Sequence, residues 1–183
     1  MEITKSIKHQ KLIRNIFIVL IGTIVLAISS KIKIPFYPVP MTMQTFVILF
    51  LGIAFGWKIG VLTVSLYLFE GIIGLPVFSG TPEKGLGFIY FTGPTMGYLF
   101  GFLIAVFFAG FFNYDKNIFK NFIKLTFATS FIYVLGLIWL GNLMGWDKPI
   151  FELGAKPFLL AELFKILLIT AMVASIKKLK NLI

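Results

Sequence analysis

Glu162 and Lys165 stand three residues apart in an otherwise apolar run from Pro157 to Ile176. With Glu70 they are the ionisable side chains that the sequence places inside its apolar stretches. A charge at membrane depth costs about 2.5 to 3.5 kcal/mol on insertion scales, so such residues persist where they pair or bind something. At i and i+3 the two share one helix face. If the helix begins near Pro157, a rise of about 1.5 Å per residue puts them roughly 8 and 12 Å below its outer end. Two readings fit: a structural ion pair with the lysine reaching toward headgroups, or a polar patch that offers a ligand an acceptor and a cationic donor. Glu70 lies near the outer end of its run and reads as an interfacial residue solvated by water.

Several chemistries are excluded outright. There is no cysteine, hence no thiolate nucleophile, disulfide or thiolate metal site. His9 is the one histidine and sits among basic residues, so neither a buried histidine base nor an H-E-x-x-H zinc site exists. No Gly-Lys-Ser or Gly-Lys-Thr occurs, so the chain carries no nucleotide-binding P-loop. The seven acids are scattered rather than paired. The chain therefore reads as a non-enzyme without metal or cofactor; an intramembrane enzyme acting on a lipid-soluble substrate is the competing class.

Other polar and aromatic residues cluster where apolar ones would be cheaper. The segment from Ile34 to Gln44 carries Pro35, Pro38 and Pro40, which deny it helix and predict a stiff extended stretch bearing Phe36 and Tyr37. Thr42 and Gln44 open the next apolar run, which favours a lid over a pocket rather than a spacer. The stretch from Gly71 to Gly80, containing Pro76, Phe78 and Ser79, is too apolar for a solvated loop and should fold back onto its surroundings.

The elements that must hold these residues follow from composition. The 183 residues are 58% hydrophobic and 13% charged with a mean hydropathy of +0.97, which places the chain in a membrane. At roughly 20 residues per span, the length supports about six. The runs are Ile16 to Ser30, Met41 to Phe55, Ile59 to Ile73, Gly93 to Phe112, Leu125 to Leu143 and Pro157 to Ile176. Gly56-Trp57-Lys58 alone separates the second from the third, which predicts a helical hairpin. The first run and its basic flank also match a secretory leader, but the remaining chain would still be hydrophobic throughout, which favours a span. An all-α integral membrane protein is expected: one domain over residues 1–183, a bundle of six transmembrane helices whose long outer loops cap a pocket, with residues 1–12 a basic cytoplasmic tail.

The net charge of +10 lies in short clusters between apolar runs, which indicates membrane orientation and not nucleic acid. Eleven Lys and Arg fall on the side of the termini and five on the other, so both termini should be cytoplasmic. Small residues recur every four positions at Gly52, Gly56 and Gly60 and from Gly93 to Ala109, a pattern for close helix packing within the chain or against a partner.

The succession Pro38-Val39-Pro40-x-Thr42-x-Gln44, Leu66-Tyr67-Leu68 leading into Gly74-Leu75-Pro76-Val77-Phe78, and Gly93-Pro94-Thr95-x-Gly97-Tyr98-Leu99-x-Gly101-Phe102 resembles the BioY family over nearly the whole chain. That resemblance implies a biotin-binding membrane subunit, or S component, of an energy-coupling factor transporter in a bacterial cell membrane. It would capture biotin outside and deliver it inward; the same architecture binding another vitamin is the nearest alternative. The family's acid and lysine early in the last helix match Glu162 and Lys165, with Glu here where Asp is usual. A family polar residue after Pro-Val-Phe maps to Ser79 or Gly80. Thr42, Gln44, Phe36, Tyr37, Tyr67, Phe78 and Tyr98 are the implied walls or lid. The resemblance further implies a membrane coupling subunit and two cytoplasmic ATPases as partners. Docking would use small residues of the first helix, here Gly22, Thr23 and Ala27.

Overall fold

The computed structural model describes the backbone of residues 2–182 and the side chains of residues 9–178. The side chains of Lys5, Lys8 and Lys180, counted above, lie outside the described residues. The chain runs α1 (Glu2–Lys31), β1 (Lys33–Ile34), β2 (Met41–Thr42), α2 (Gln44–Ile72), α3 (Phe88–Phe91), α4 (Met96–Phe111), α5 (Ile118–Met144), α6 (Ile150–Gly154) and α7 (Leu159–Leu182). Among the described residues four helices, α1, α2, α5 and α7, are long and apolar enough to cross a membrane, and α4 is a shorter apolar helix.

Helix α2 is not one rod. Gly56 breaks it at φ +78°, a conformation that side-chain-bearing residues rarely adopt. In a straight helix Gln44 and Tyr67 would stand about 34 Å apart. Instead the Gln44 amide donates to the Tyr67 hydroxyl at 2.8 Å. A Cβ built on Gly60 would lie 3.5 Å from the Gly52 Cα, so the legs 44–55 and 57–72 run back against each other. The hairpin expected at Gly56 is thus the geometry of this helix.

The small-residue stripes are consumed inside the chain. A Cβ on Gly52 would meet Ala109 at 2.8 Å, one on Gly101 the Ile132 Cα at 2.5 Å, and one on Gly110 the Trp57 backbone nitrogen at 2.3 Å. Those approaches bring α4 against both legs of α2 and against α5, where side chains would hold the backbones apart. Two buried apolar clusters result. One surrounds Tyr67, Phe78, Tyr90 and Phe102. The other surrounds Leu49, Leu125, Ile169 and Val173 at the basic end. The outside is apolar as well: Phe17, Ile21, Ile24, Phe119 and Phe164 are each more than half exposed. A surface of that kind is stable against lipid and not against water.

The basic segment 1–12 is helical from residue 2 as the start of α1, its Lys and Gln being good helix formers. Three sequence expectations need correction. The last helix begins at Leu159, not Pro157, since a turn in which Phe158 N donates to Ala155 O intervenes. The Ile34–Gln44 segment is not one stiff extended stretch. It turns back so that Lys33 pairs with Thr42 and Ile34 with Met41, the prolines forbidding helix but not a turn. The proposed docking residues face inward. Thr23 is buried, a Cβ on Gly22 would strike the Thr63 methyl at 2.6 Å, and Ala27 packs on the first cluster. Their small size lets α1 close on the second leg of α2, which leaves that face unavailable to another protein.

Candidate functional site

The first turn of α7 brings Glu162 to the end of the molecule opposite the basic one. Its carboxylate sits near a helix N-terminus, where the aligned peptide dipoles favour negative charge. Glu162 is 4% exposed and Lys165 9%, unusual for charged groups unless they are paired. Their ammonium and Oε2 are 3.4 Å apart. Lys165 Nζ also donates to the Thr42 carbonyl at 2.7 Å and to Thr45 Oγ1 at 3.1 Å. Its three donors are thereby matched. Glu162 Oε2 accepts from Thr45 Oγ1 at 3.1 Å and from the Tyr133 hydroxyl at 2.9 Å. The cluster joins β2, the start of α2, α5 and α7.

Not every buried polar atom there is matched. Glu162 Oε1 and Ser79 Oγ are buried with no partner among the described residues. Both residues line the cavity that this cluster borders, so an acid and a hydroxyl residue with unmatched atoms share one cavity wall. An unsatisfied buried polar group costs about 1 to 3 kcal/mol, which a complementary ligand would recover. The remaining walls are mostly apolar: Val39, Pro40 and Met41 from the turn, Phe78, Tyr90, Leu99 and Phe102, with Ile132 and Phe158 opposite.

The irregular Gly71–Gly80 stretch does fold back onto the bundle. Phe78 lies over Gly71, where a Cβ would fall 2.0 Å from its ring, and it stacks on Tyr90 at 4.8 Å. Lys31 Nζ, at the end of α1, donates to Phe78 O at 2.9 Å and Thr81 O at 3.1 Å. Ser30 and Tyr67 both donate to Val77 O. Ser79 is placed by these anchors and by the Tyr90 hydroxyl, which donates to its carbonyl.

Of the residues singled out from the sequence, Glu162, Lys165, Ser79, Gln44, Thr42, Phe78 and Tyr98 line this cavity. Tyr98 also donates to Gly154 O at 2.8 Å, tying α4 to α6. Four do not line it. Tyr37 is 84% exposed, at the tip of the turn. Phe36 packs edge-on behind Phe158 at 5.7 Å. Tyr67 is buried behind Phe78 and Gln44. Gly80 turns at φ +80° beside the Lys84 side chain. Thr45, Tyr90, Thr95, Tyr133 and Phe158 line the cavity without having been singled out. Thr45 carried a signal, being a second polar residue three after Thr42 at the start of an apolar run. Tyr133 carried none, one aromatic among many in α5.

A sequence model of the BioY family matches residues 3–181. The chain is 33% identical to the biotin transporter BioY of Thermotoga maritima, over 87% of this chain and 94% of that one. It is 30% identical to the probable biotin transporter BioY of Rickettsia prowazekii, over 92% and 86% respectively. Among solved structures it is similar to the S-component for biotin from an ECF-type ABC transporter, with a TM-score of 0.74, 27% identity, and coverage of 94% of this chain and 93% of that one.

Proposed function

The chain belongs to the BioY family, and from that premise we propose that it is the biotin-binding membrane subunit of an ECF-type uptake transporter. Its family and relatives are transporters and not enzymes. The observation that carries the assignment to this site is the buried Glu162–Lys165 cluster, with an unmatched carboxylate oxygen and hydroxyl on residues that line an apolar-walled cavity. Biotin has two ureido N–H donors, a carbonyl acceptor, an apolar ring with a thioether, and a tail ending in carboxylate. Glu162 Oε1 suits the N–H donors, Lys165 and Ser79 suit the acceptors, and Phe78, Tyr90, Leu99 and Phe102 suit the ring. Ligand groups that satisfy these atoms offset the desolvation the site already bears.

The free space of the cavity is about 60 Å³. Val39–Thr42 and Phe78–Ser79 are wall segments outside the helices, and they are the capping loops of this reading. Titrating the purified chain with biotin, thiamine and riboflavin tests the ligand. Binding of biotin alone, saturable and without nucleotide, is the expected result; tighter binding of either other vitamin would replace the assignment.

A multi-pass membrane protein with both termini cytoplasmic completes the proposal, the entire chain being one substrate-binding domain. Counting the two legs of α2 separately gives six apolar legs with α1, α4, α5 and α7. In the cysteine-free chain, a single cysteine at position 84 should react with a membrane-impermeant maleimide on intact cells, and one at position 120 should not. Label at 120 alone reverses the orientation. The sequence carries no P-loop, so ATP-driven uptake would be powered by other chains, and membership of the BioY family supports a membrane coupling subunit with two cytoplasmic ATPases as the partner set. Gly22, Thr23 and Ala27 are not its contact face, because they are packed within the bundle.

A further inference from the structure

At the end opposite the biotin cavity, a cleft with about 470 Å³ of free space opens between the start of α1 and the turn at Gly56. Lys11 and Arg14 reach it from α1, three residues apart and thus on one face, and Lys58 from the other wall. The Lys58 ammonium stands 5.5 Å from the centre of the Trp57 ring. Among the described residues no carboxylate lines the cleft. Asn15, next to Arg14 and four residues after Lys11, keeps a buried side-chain oxygen with no partner among the described residues. The biotin site uses none of these residues.

Beside the cleft-lining residues, and meeting them at Arg14, α1 carries an exposed apolar track away from the cleft. Phe17 (61% exposed), Ile21 (58%), Ile24 (58%) and Ile28 (58%) follow Arg14 at steps of three or four. A concave group of cations at the head of an apolar stripe complements a molecule with an anionic head and hydrocarbon tails. A free anion would leave the stripe unused. We infer that this cleft binds the phosphate of an anionic phospholipid, with its acyl chains along the α1 track. Lys11, Arg14 and Lys58 supply the charge, and the Asn15 oxygen accepts from a headgroup hydroxyl. Basic pockets between transmembrane helices are suited to such headgroups because membrane surroundings deny the cations other counterions.

The full chain, purified in a non-ionic detergent, would be titrated with phosphatidylglycerol, phosphatidylcholine of the same acyl chains, or inorganic phosphate, and bound lipid counted by native mass spectrometry. Expected is one phosphatidylglycerol per chain at a concentration at least tenfold below that needed for phosphatidylcholine, undisturbed by millimolar phosphate. Arg14→Gln/Lys58→Gln should weaken phosphatidylglycerol roughly thirtyfold, the contribution of two basic contacts at an anionic surface. Lys156→Gln, at the other end, should not. Both substituted positions in the cleft are exposed, and an unchanged circular dichroism spectrum checks the fold. Equal retention of the two lipids in the unsubstituted chain overturns the assignment without reference to any variant. Displacement by phosphate also overturns it, since the site would then take the free anion.

Discussion

Lys165→Ala should weaken biotin binding by about two orders of magnitude, because truncating one member of a buried charge pair in contact with a ligand costs about 3 kcal/mol. Three hydrogen bonds vanish together, those to the Thr42 carbonyl, Thr45 Oγ1 and Glu162 Oε2. Glu162 is left buried beside Tyr133 and Thr45 without its counter-charge. That loss alone would also destabilise the fold, so the single variant does not separate binding from structure. Glu162→Gln/Lys165→Met does, because it removes both charges together and leaves no buried charge without its counter-charge. If the pair touches biotin, calorimetry on the folded double variant still shows the hundredfold loss. Recovery to within tenfold of the unsubstituted affinity would reduce Glu162 and Lys165 to a structural pair and move the recognition elsewhere on the cavity wall.

Gly101→Leu should abolish recovery of folded monomer. The Cβ alone would lie 2.5 Å from the Ile132 Cα and 3.0 Å from the Phe131 carbonyl oxygen. Those atoms are backbone of α5 and cannot rotate away as a side-chain tip would, so α4 and α5 must separate. Separation would open the first apolar cluster and shift Tyr133, which the cluster at Glu162 needs. Phe100→Leu, one position away on the exposed side of α4, is the control and should purify normally. Size-exclusion chromatography in detergent distinguishes them. A monodisperse Gly101→Leu protein with normal biotin affinity would show that α4 and α5 are not locked by this contact.

Much of the site's chemistry was legible within single segments. Glu162 and Lys165 share a face because helix geometry sets the relation of i to i+3 whatever surrounds it. Their burial followed from their apolar neighbours, and the reversal at Gly56 from two apolar runs with almost nothing between them. The absence of cysteine, of a second histidine and of a P-loop excluded whole reaction classes by inventory.

Relations between segments were decided by packing. Tyr133 meets Glu162 across 29 residues and Lys165 meets Thr42 across 123, and no spacing rule applies at such separations. Tyr37 stands outside the cavity and Val39 to Met41 stand in its wall because the turn between β1 and β2 carries its tip away from the bundle. The small residues of α1 read equally well as a docking face or an internal seam, since both need close backbones. Only the position of Thr63, on the second leg of α2, makes that stripe internal. A side chain's neighbours along its own helix are set by covalent geometry. Its neighbours on other helices depend on which backbones can approach, and here glycines at 52, 60, 101 and 110 determine that.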